Sequence, residues 1–415
     1  MAGSVGAMDE WRRFWYLPLA ASFGYATAVM YVYSMGPYIE PIQQEFGWSR
    51  AQISSGITIA AFLSALFCIP IGMLVDRVGP RPVGITGVIL MCGCVALLGT
   101  ATGSQSNWIF LWCLLAFSTL FVQATVWTSA VNSRFSASRG LALAITLSGA
   151  SVAATIFPIL ATWLIELYDW RTSYMAMSGI WAVITLPFMY FCFRGAQDQS
   201  SKSSIAEVNK DELEGLTIAQ GVRSPALYKL LMAGGFFAFT AIGIVVHFVP
   251  ILKDSGADPL SAAGVASLIG IFSIVGRLGT GFLLDRLPSH LVGAFAFIIP
   301  IFACLLLIYD GSNPVSQAVA AAIFGLTLGS EVDVIAYLAA KYFGLKNFGA
   351  LYGALVMALS LGTAFGPLGA GFIYDQYGSY VPFLVATALM MGASAFALLT
   401  LSYNPTVDKL AIQQA

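Results

Sequence analysis

Charge is what this chain has least of. Only 9% of its 415 residues are Asp, Glu, Lys or Arg, where a soluble domain carries about 25%. Histidine occurs twice, at His247 and His290. So thin a polar inventory cannot coat a water-soluble globule. With 58% hydrophobic residues and a mean hydropathy of +0.82, the chain reads as a polytopic helical membrane protein with the lipid bilayer as its solvent. The net charge of −1 points to no nucleic-acid partner and no polybasic tail. The six cysteines (Cys68, Cys92, Cys94, Cys113, Cys192 and Cys304) all lie in apolar runs without metal-ligand spacing. Cys92 and Cys94, two apart, suit neither a redox pair nor zinc, so the cysteines read as small apolar packing residues. No metal and no cofactor is expected. No phosphate loop, nucleophile elbow or nucleophile–base set is present, so the expectation is not an enzyme. The first apolar run is too long for a cleavable leader and reads as a first span.

Runs of about 20 apolar residues mark helices that cross a bilayer. Twelve occur, at 14–38, 51–75, 83–103, 108–131, 141–165, 173–193, 228–250, 262–284, 290–309, 316–340, 349–373 and 379–402. Between the sixth and seventh the chain turns polar. This divides it into an N-terminal six-helix bundle, 1–194, a cytoplasmic linker, 195–223, and a C-terminal six-helix bundle, 224–415, with a short surface helix expected near 205–216. Basic residues set the orientation. With the N-terminus inside, fifteen Lys and Arg fall in inner loops and termini, and only Arg50, Arg171 and Lys253 fall outside. The remaining one, Arg277, lies within a span. Both termini are therefore expected in the cytoplasm, and the chain in the cell inner (cytoplasmic) membrane.

The second span ends in Gly72, Asp76 and Arg77, and the eighth in Gly281, Asp285 and Arg286, with identical internal spacing and an offset of 209 residues. Such a repeat, about half a chain apart, is the plan of a rocking transporter whose substrate binds between two halves near the midplane. Gly72, Asp76, Arg77, Gly79 and Arg81 together resemble the loop signature of the major facilitator superfamily. The second copy lacks the trailing Gly and Arg. With twelve spans the resemblance covers nearly the whole chain. It implies an all-α membrane protein of twelve transmembrane helices in two pseudo-symmetric six-helix bundles.

Finer features resemble the monocarboxylate porter and oxalate/formate antiporter branch. They are Phe46-Gly47-Trp48-Ser49-Arg50 before the second span, Arg139-Gly140-Leu141-Ala142 opening the fifth, and His247 with Pro250 closing the seventh. Gly276-Arg277-Leu278 in the eighth and Tyr342-Phe343-Gly344 after the tenth complete the set. In that branch an eighth-span arginine binds the substrate carboxylate, and Arg277 matches it. A tyrosine late in the first span contributes, with Tyr33 the best match and Tyr31 nearby. Two features depart. The eleventh span lacks the lysine of the oxalate exchangers, which counts against a dicarboxylate held between two cations. Position 273 is Ser where the animal lactate porters have an acid.

The chemistry of the residues runs the same way. A charge inside a span is costly, so it meets a partner or a water-filled path. A guanidinium stays protonated and presents a two-pronged fork to one carboxylate. Glu331 and Asp333 sit mid-span in the tenth run, and at i and i+2 they point about 200° apart, so they cannot face one cavity together. Desolvation favours the protonated carboxyl and a nearby guanidinium the charged one. An acid that feels Arg277 gain or lose a substrate anion is thus a proton carrier; the competing reading is acids that only tie helices. Glu331 is assigned to the path and Asp333 to packing or Arg277, on the chemistry of this chain rather than on the resemblance. His247 is either a gating or proton-relay group or a hydrogen-bonded buried histidine. Tyr31, Tyr33, Gln123 and Trp127 are candidate substrate contacts, and Gln123 and Trp127, four apart, are expected on one helix face. Asn132 has a weaker claim. The gate residues Gly72, Asp76, Arg77, Gly79, Arg81, Gly281, Asp285 and Arg286 are conformational, with acid and base pairing on the cytoplasmic side. Gly349, Gly353, Gly362 and Gly366 allow close helix contact. Asp254 and Asp258 read as solvated loop acids.

These readings converge on a secondary active transporter of an organic monocarboxylate, coupled to a proton, working by alternating access and functional as a monomer. The alternatives are an organic anion exchanger or exporter without net proton movement, and a lipophilic-drug or sterol exporter. A transport-dead sensor would need a long soluble signalling domain, which the chain lacks.

Overall fold

The structure, a computed structural model, describes residues 7–195, 215–284, 286–344 and 348–401. Within its helices, side chains are described except at 68–74, 76, 331–333 and 348–349. In chain order the helices are α1 (Ala7–Phe14), α2 (Tyr16–Phe46), α3 (Arg50–Val78), α4 (Pro80–Leu98) and α5 (Gln105–Thr119). A 3-10 turn (Leu120–Val122) leads into α6 (Ala124–Asn132), α7 (Arg139–Leu147), α8 (Gly149–Leu167) and α9 (Trp170–Cys192). Then come α10 (Ile218–Arg223), α11 (Pro225–Asp254), α12 (Pro259–Leu284), α13 (Ser289–Asp310), α14 (Pro314–Phe343), α15 (Phe348–Tyr377) and α16 (Val381–Leu399). Among the described residues there is no strand, only an isolated bridge between Gly215 and Gly344.

Among the described residues, eleven stretches are long and apolar enough to cross a membrane, with α5 and α6 forming one and α7 and α8 another. The expected first span, α2, is not among them. Its 31 residues have the length, but five tyrosines and three prolines dilute its hydropathy. The helix starts are local chemistry. Ser224 and Asn313 each cap a helix whose first residue is proline, and Asp169 accepts from two N–H groups at the start of α9. The linker helix expected near 205–216 falls largely outside the described residues. The helix observed there, α10, lies beyond it and owes its start to a capping box between Thr217 and Gln220.

The chain divides into two compact units, unit 1 of Met1–Trp48 with Ser55–Ser204, and unit 2 of Ser49–Ser54 with Ile205–Ala415. In lipid no hydrophobic force draws helices together, so close backbone contact must do it, and small residues mark where. In unit 1 a Cβ at Gly149 would strike the Ser22 carbonyl, which puts α8 directly on α2. In unit 2 a Cβ at Gly362 or Gly366 would strike the carbonyl of Gly235 or Phe239, so α15 lies on α11. Gly353, expected to serve the same purpose, has open space within 4 Å of where a Cβ would be, and the surroundings of Gly349 lie outside the described residues.

In unit 1, the polar anchor of α1 is the side chain of Glu10. Glu10 is 3% exposed. Its carboxylate accepts from the N–H groups of Ser136 and Ala137 at 2.9 Å and of Ser138 at 3.0 Å, and from the hydroxyls of Ser136 at 2.8 Å and Ser138 at 2.9 Å. Ser138 precedes α7 and makes no side-chain cap of its own, so Glu10 satisfies the amides of the connection that leads into α7. Trp11 packs on Phe135 beside it.

Candidate functional site

The site grows from Arg277. It stands half-buried on α12, where the backbone of α14 comes closest. A Cβ at Gly276 would strike the Leu326 carbonyl, and one at Gly329 would strike the Ser273 carbonyl and lie 2.8 Å from the Arg277 amide nitrogen. Glycine spacing on both helices therefore fixes α14 against α12 at the height of Arg277. Glu331 and Asp333 follow two and four residues after Gly329 on the same helix; their side chains lie outside the described residues. Ser273, standing where the animal porters have an acid, is buried and donates to the Gly270 carbonyl at 2.7 Å. Thr280 donates to Ser330 at 2.7 Å, and Ser330 to the Leu326 carbonyl at 2.6 Å. A cavity of about 200 Å³ opens beside these hydroxyls, bounded by Gly276, Phe295 and Thr327 among others, and Arg277 does not line it.

In unit 1 the candidates separate. Tyr33 is nearly buried at 9% exposure, and Tyr31 sets its ring edge-on to Trp112 at 5.9 Å. Gln123 and Trp127 do not share a helix face, contrary to the expectation. The fourth span breaks at Gln123, whose φ of −60° and ψ of 157° are extended, between the 3-10 turn and α6. The break lies where the packing is tight. A Cβ at Gly87 would lie 2.5 Å from the Phe121 carbonyl oxygen, so α4 passes against the turn. The Trp127 indole donates to the Val122 carbonyl at 2.7 Å, next to the break. Gln123, half-buried, donates to Ser64 at 3.0 Å. Broken backbone at membrane depth is tolerated only inside protein or along a cavity. Trp127 is fully buried, wedged where Gly24 and Gly84 leave no room for a Cβ. Asn132 accepts from Arg139 Nε at 2.5 Å across the α6–α7 turn.

Of the gate residues, Gly79 alone separates α3 from α4, with φ of 92°, a conformation glycine adopts at no steric cost. Arg81 donates to the Tyr190 carbonyl at 2.7 Å and covers the Tyr190 ring. Arg77 is exposed, and Arg286 lies 3.8 Å over Phe282. Gly281 has open space where a Cβ would be. Asp285 and the side-chain environments of Gly72 and Asp76 lie outside the described residues.

His247 is fully buried, with partners on both nitrogens. Asp254 is exposed, as expected of a solvated acid, but it ends α11 rather than lying in a loop and pairs with Arg50. Asp258 accepts from the Ser261 N–H at the start of α12. Among the described residues no group of three or more His, Cys, Asp and Glu side chains forms a metal site. Sequence reasoning passed over Arg50, Tyr380, Asp375 and Glu10. Arg50 carried a signal only as the last residue of its motif, and Glu10 carried none, because its partners lie 126 to 128 residues away.

A family model of the Major Facilitator Superfamily matches residues 21–344. The chain belongs to that superfamily. As a major facilitator it is a multi-pass membrane transporter, and the family and fold are those of transporters rather than enzymes. It is 27% identical to monocarboxylate transporter 13 of Rattus norvegicus over 409 residues, covering 94% of this chain and 89% of the relative. Monocarboxylate transporter 13 of Bos taurus is 27% identical over 405 residues with the same coverage. Among solved structures, a bacterial homolog of the human lysosomal transporter Spinster, inward-facing and unoccupied, superposes with a TM-score of 0.65 at 17% identity, covering 96% of each chain. That last likeness concerns the fold alone.

Proposed function

We propose that this major facilitator carries an organic monocarboxylate together with a proton by alternating access. One observation supports the reading above others. A single permanently charged guanidinium, Arg277, stands in a span at the point where glycines press α12 onto α14, and two acids follow on α14. One cation suits one carboxylate. A proton on Glu331 or Asp333 then offsets the charge the anion adds, so the loaded carrier is neutral enough to occlude. The relatives named for monocarboxylate transport support the substrate class.

In unit 1, Tyr31, Tyr33 and Gln123 remain our proposed contacts for the substrate's organic part. Trp127 and His247, fully buried, take packing and positioning roles instead. The excess of Lys and Arg in alternate loops supports cytoplasmic termini in the inner membrane, with the monomer as the working form.

The test is uptake of radiolabelled monocarboxylates (L-lactate, pyruvate, a branched-chain acid and benzoate) into proteoliposomes of purified protein. The reading expects at least one to be carried, and Arg277→Lys to abolish that uptake while the protein stays folded. Normal uptake by the variant would remove Arg277 from the site.

A further inference from the structure

The first turn of α3 has no part in the function argued so far. The boundary between the units falls inside this helix: Ser49–Ser54 belongs to unit 2, and Ser55 onward to unit 1. The turn sits on the ends of α11, α15 and α16, and nearly every group in it is held by a polar contact. Asp375 accepts from the N–H of Arg50 and of Ala51, each at 2.9 Å, the task of an N-cap side chain performed from another helix. Arg50, 6% exposed, grips Asp254 with both terminal nitrogens, at 2.9 and 3.2 Å. Its guanidinium carbon lies 3.6 Å from the centre of the Tyr374 ring.

Behind the pair runs a directed relay. His247 Nε2 lies 2.9 Å from the Pro367 carbonyl oxygen, which can only accept, so Nε2 carries the ring proton. Nδ1 must then accept, and it does so from the Tyr380 hydroxyl at 2.7 Å. The Tyr380 oxygen in turn accepts from Arg50 Nη1 at 2.8 Å. Ser54 Oγ closes the group 3.1 Å from Nε2. One order of donors therefore runs from Arg50 through Tyr380 and His247 to the Pro367 carbonyl.

We propose that this turn is a latch of the transport cycle, with Arg50 and Asp254 as the bolt and Tyr380 and His247 as its seat. The turn stays on α11, α15 and α16 in one state and leaves them in another. Arg50 is buried but the Asp254 side chain stays 35% exposed, and an ion pair that solvent can reach is a poor permanent fastening, its attraction nearly offset by screening and by the side-chain freedom it costs. The same near-balance suits a contact that must be made and broken repeatedly. Water can replace each hydrogen bond when the turn leaves. By contrast the α12–α14 seam, backbone against backbone, offers no such exchange. His247 and Tyr380 are positioning residues here: they reach the transport step through Arg50 and do not touch substrate.

The test needs no substrate, so its result stands apart from the monocarboxylate reading. In the full chain, with its six cysteines replaced by alanine, Ser54→Cys is labelled with a membrane-impermeant maleimide in reconstituted vesicles. Ser394→Cys, equally buried at 0% exposure in α16, is the control. A latch opens, so Ser54→Cys labels to completion while Ser394→Cys stays silent. Adding Asp254→Asn or Arg50→Ala raises the rate at Ser54→Cys about tenfold or more, as expected for loss of a charge-assisted bond, and leaves Ser394→Cys unchanged. Tyr380→Phe, which removes one hydroxyl, raises it several-fold and decides the matter should Arg50→Ala not fold. If Ser54→Cys is as silent as Ser394→Cys, and Asp254→Asn or Tyr380→Phe in folded protein leaves it so, the contact is static and the latch is refuted.

Discussion

A guanidinium differs from an ammonium in shape as much as in charge, and the site turns on that difference. Arg277 offers a planar fork to a carboxylate; lysine offers a point charge on a shorter arm. Losing one of two paired charge-assisted bonds costs about 2–3 kcal/mol, about 100-fold in transport efficiency, so Arg277→Lys should fail even though it keeps the charge. Uptake kinetics with circular dichroism as a fold check measures this. Arg277 was legible in the sequence because a lone charge stands out in an apolar run. Arg50 was not. It sits at the edge of a run, where basic residues ordinarily set topology, and its partners lie 204 and 330 residues away. Nothing local announces Asp254 or Tyr380, and a similar distance hid Glu10. The acids were legible as a pair, but helix geometry alone leaves the choice between Glu331 and Asp333 to experiment. Glu331→Gln should abolish the response of uptake to a pH gradient while Asp333→Asn keeps it; the reverse outcome would exchange their roles.

At the scale of elements, the helices were legible from hydropathy, but their breaks were not. Hydropathy does not register where a backbone turns extended, as at Gln123, because the residues on both sides stay apolar. The seam between α12 and α14 was likewise hidden, since Gly276, Gly325 and Gly329 form a contact only once the helices face each other. A methyl at Gly329 has nowhere to go against the Ser273 carbonyl. Gly329→Ala should therefore lower stability by about 1–3 kcal/mol, read as a drop in the thermal unfolding midpoint in detergent, and should reduce uptake by shifting α14 relative to Arg277. Helix α1 gives a prediction of opposite character. The amide groups of Ala137 and Ser136, joined by the Ser136 and Ser138 hydroxyls, hold the Glu10 carboxyl down from 4.5 to about 2. A group lowered on docking contributes stability that is present above its free value and is lost as pH falls through its docked value. Docking of α1 should thus stay constant from pH 8 to pH 5 and weaken only as pH drops from 4.5 toward 2. Limited proteolysis at the N-terminus across that range, with Glu10→Gln as the undocked reference, checks it. Any pH dependence of transport near neutrality then belongs to other groups.

For the whole molecule the question is what drives the cycle. One proton moving with one monocarboxylate anion transfers no net charge. Accumulation must then follow the pH difference and ignore the membrane potential. One pH unit is worth about 1.4 kcal/mol, so a gradient of one unit, acid outside, should hold substrate inside at about ten times the outer concentration. A potassium diffusion potential set with valinomycin should leave that ratio unchanged. An exchanger without proton movement behaves in the opposite way. It shows counterflow when substrate is preloaded and the pH is equal on both sides, and it gains nothing from the gradient. Both carriers would need Arg277, so the arginine variant cannot separate them, but the acids can. Replacing the coupling acid by its amide should convert a symporter into a carrier that still exchanges label at equal pH yet no longer concentrates substrate against the gradient. If the native protein exchanges label without concentrating it, while the Arg277→Lys variant does neither, the anion site stands and the proton leaves the cycle.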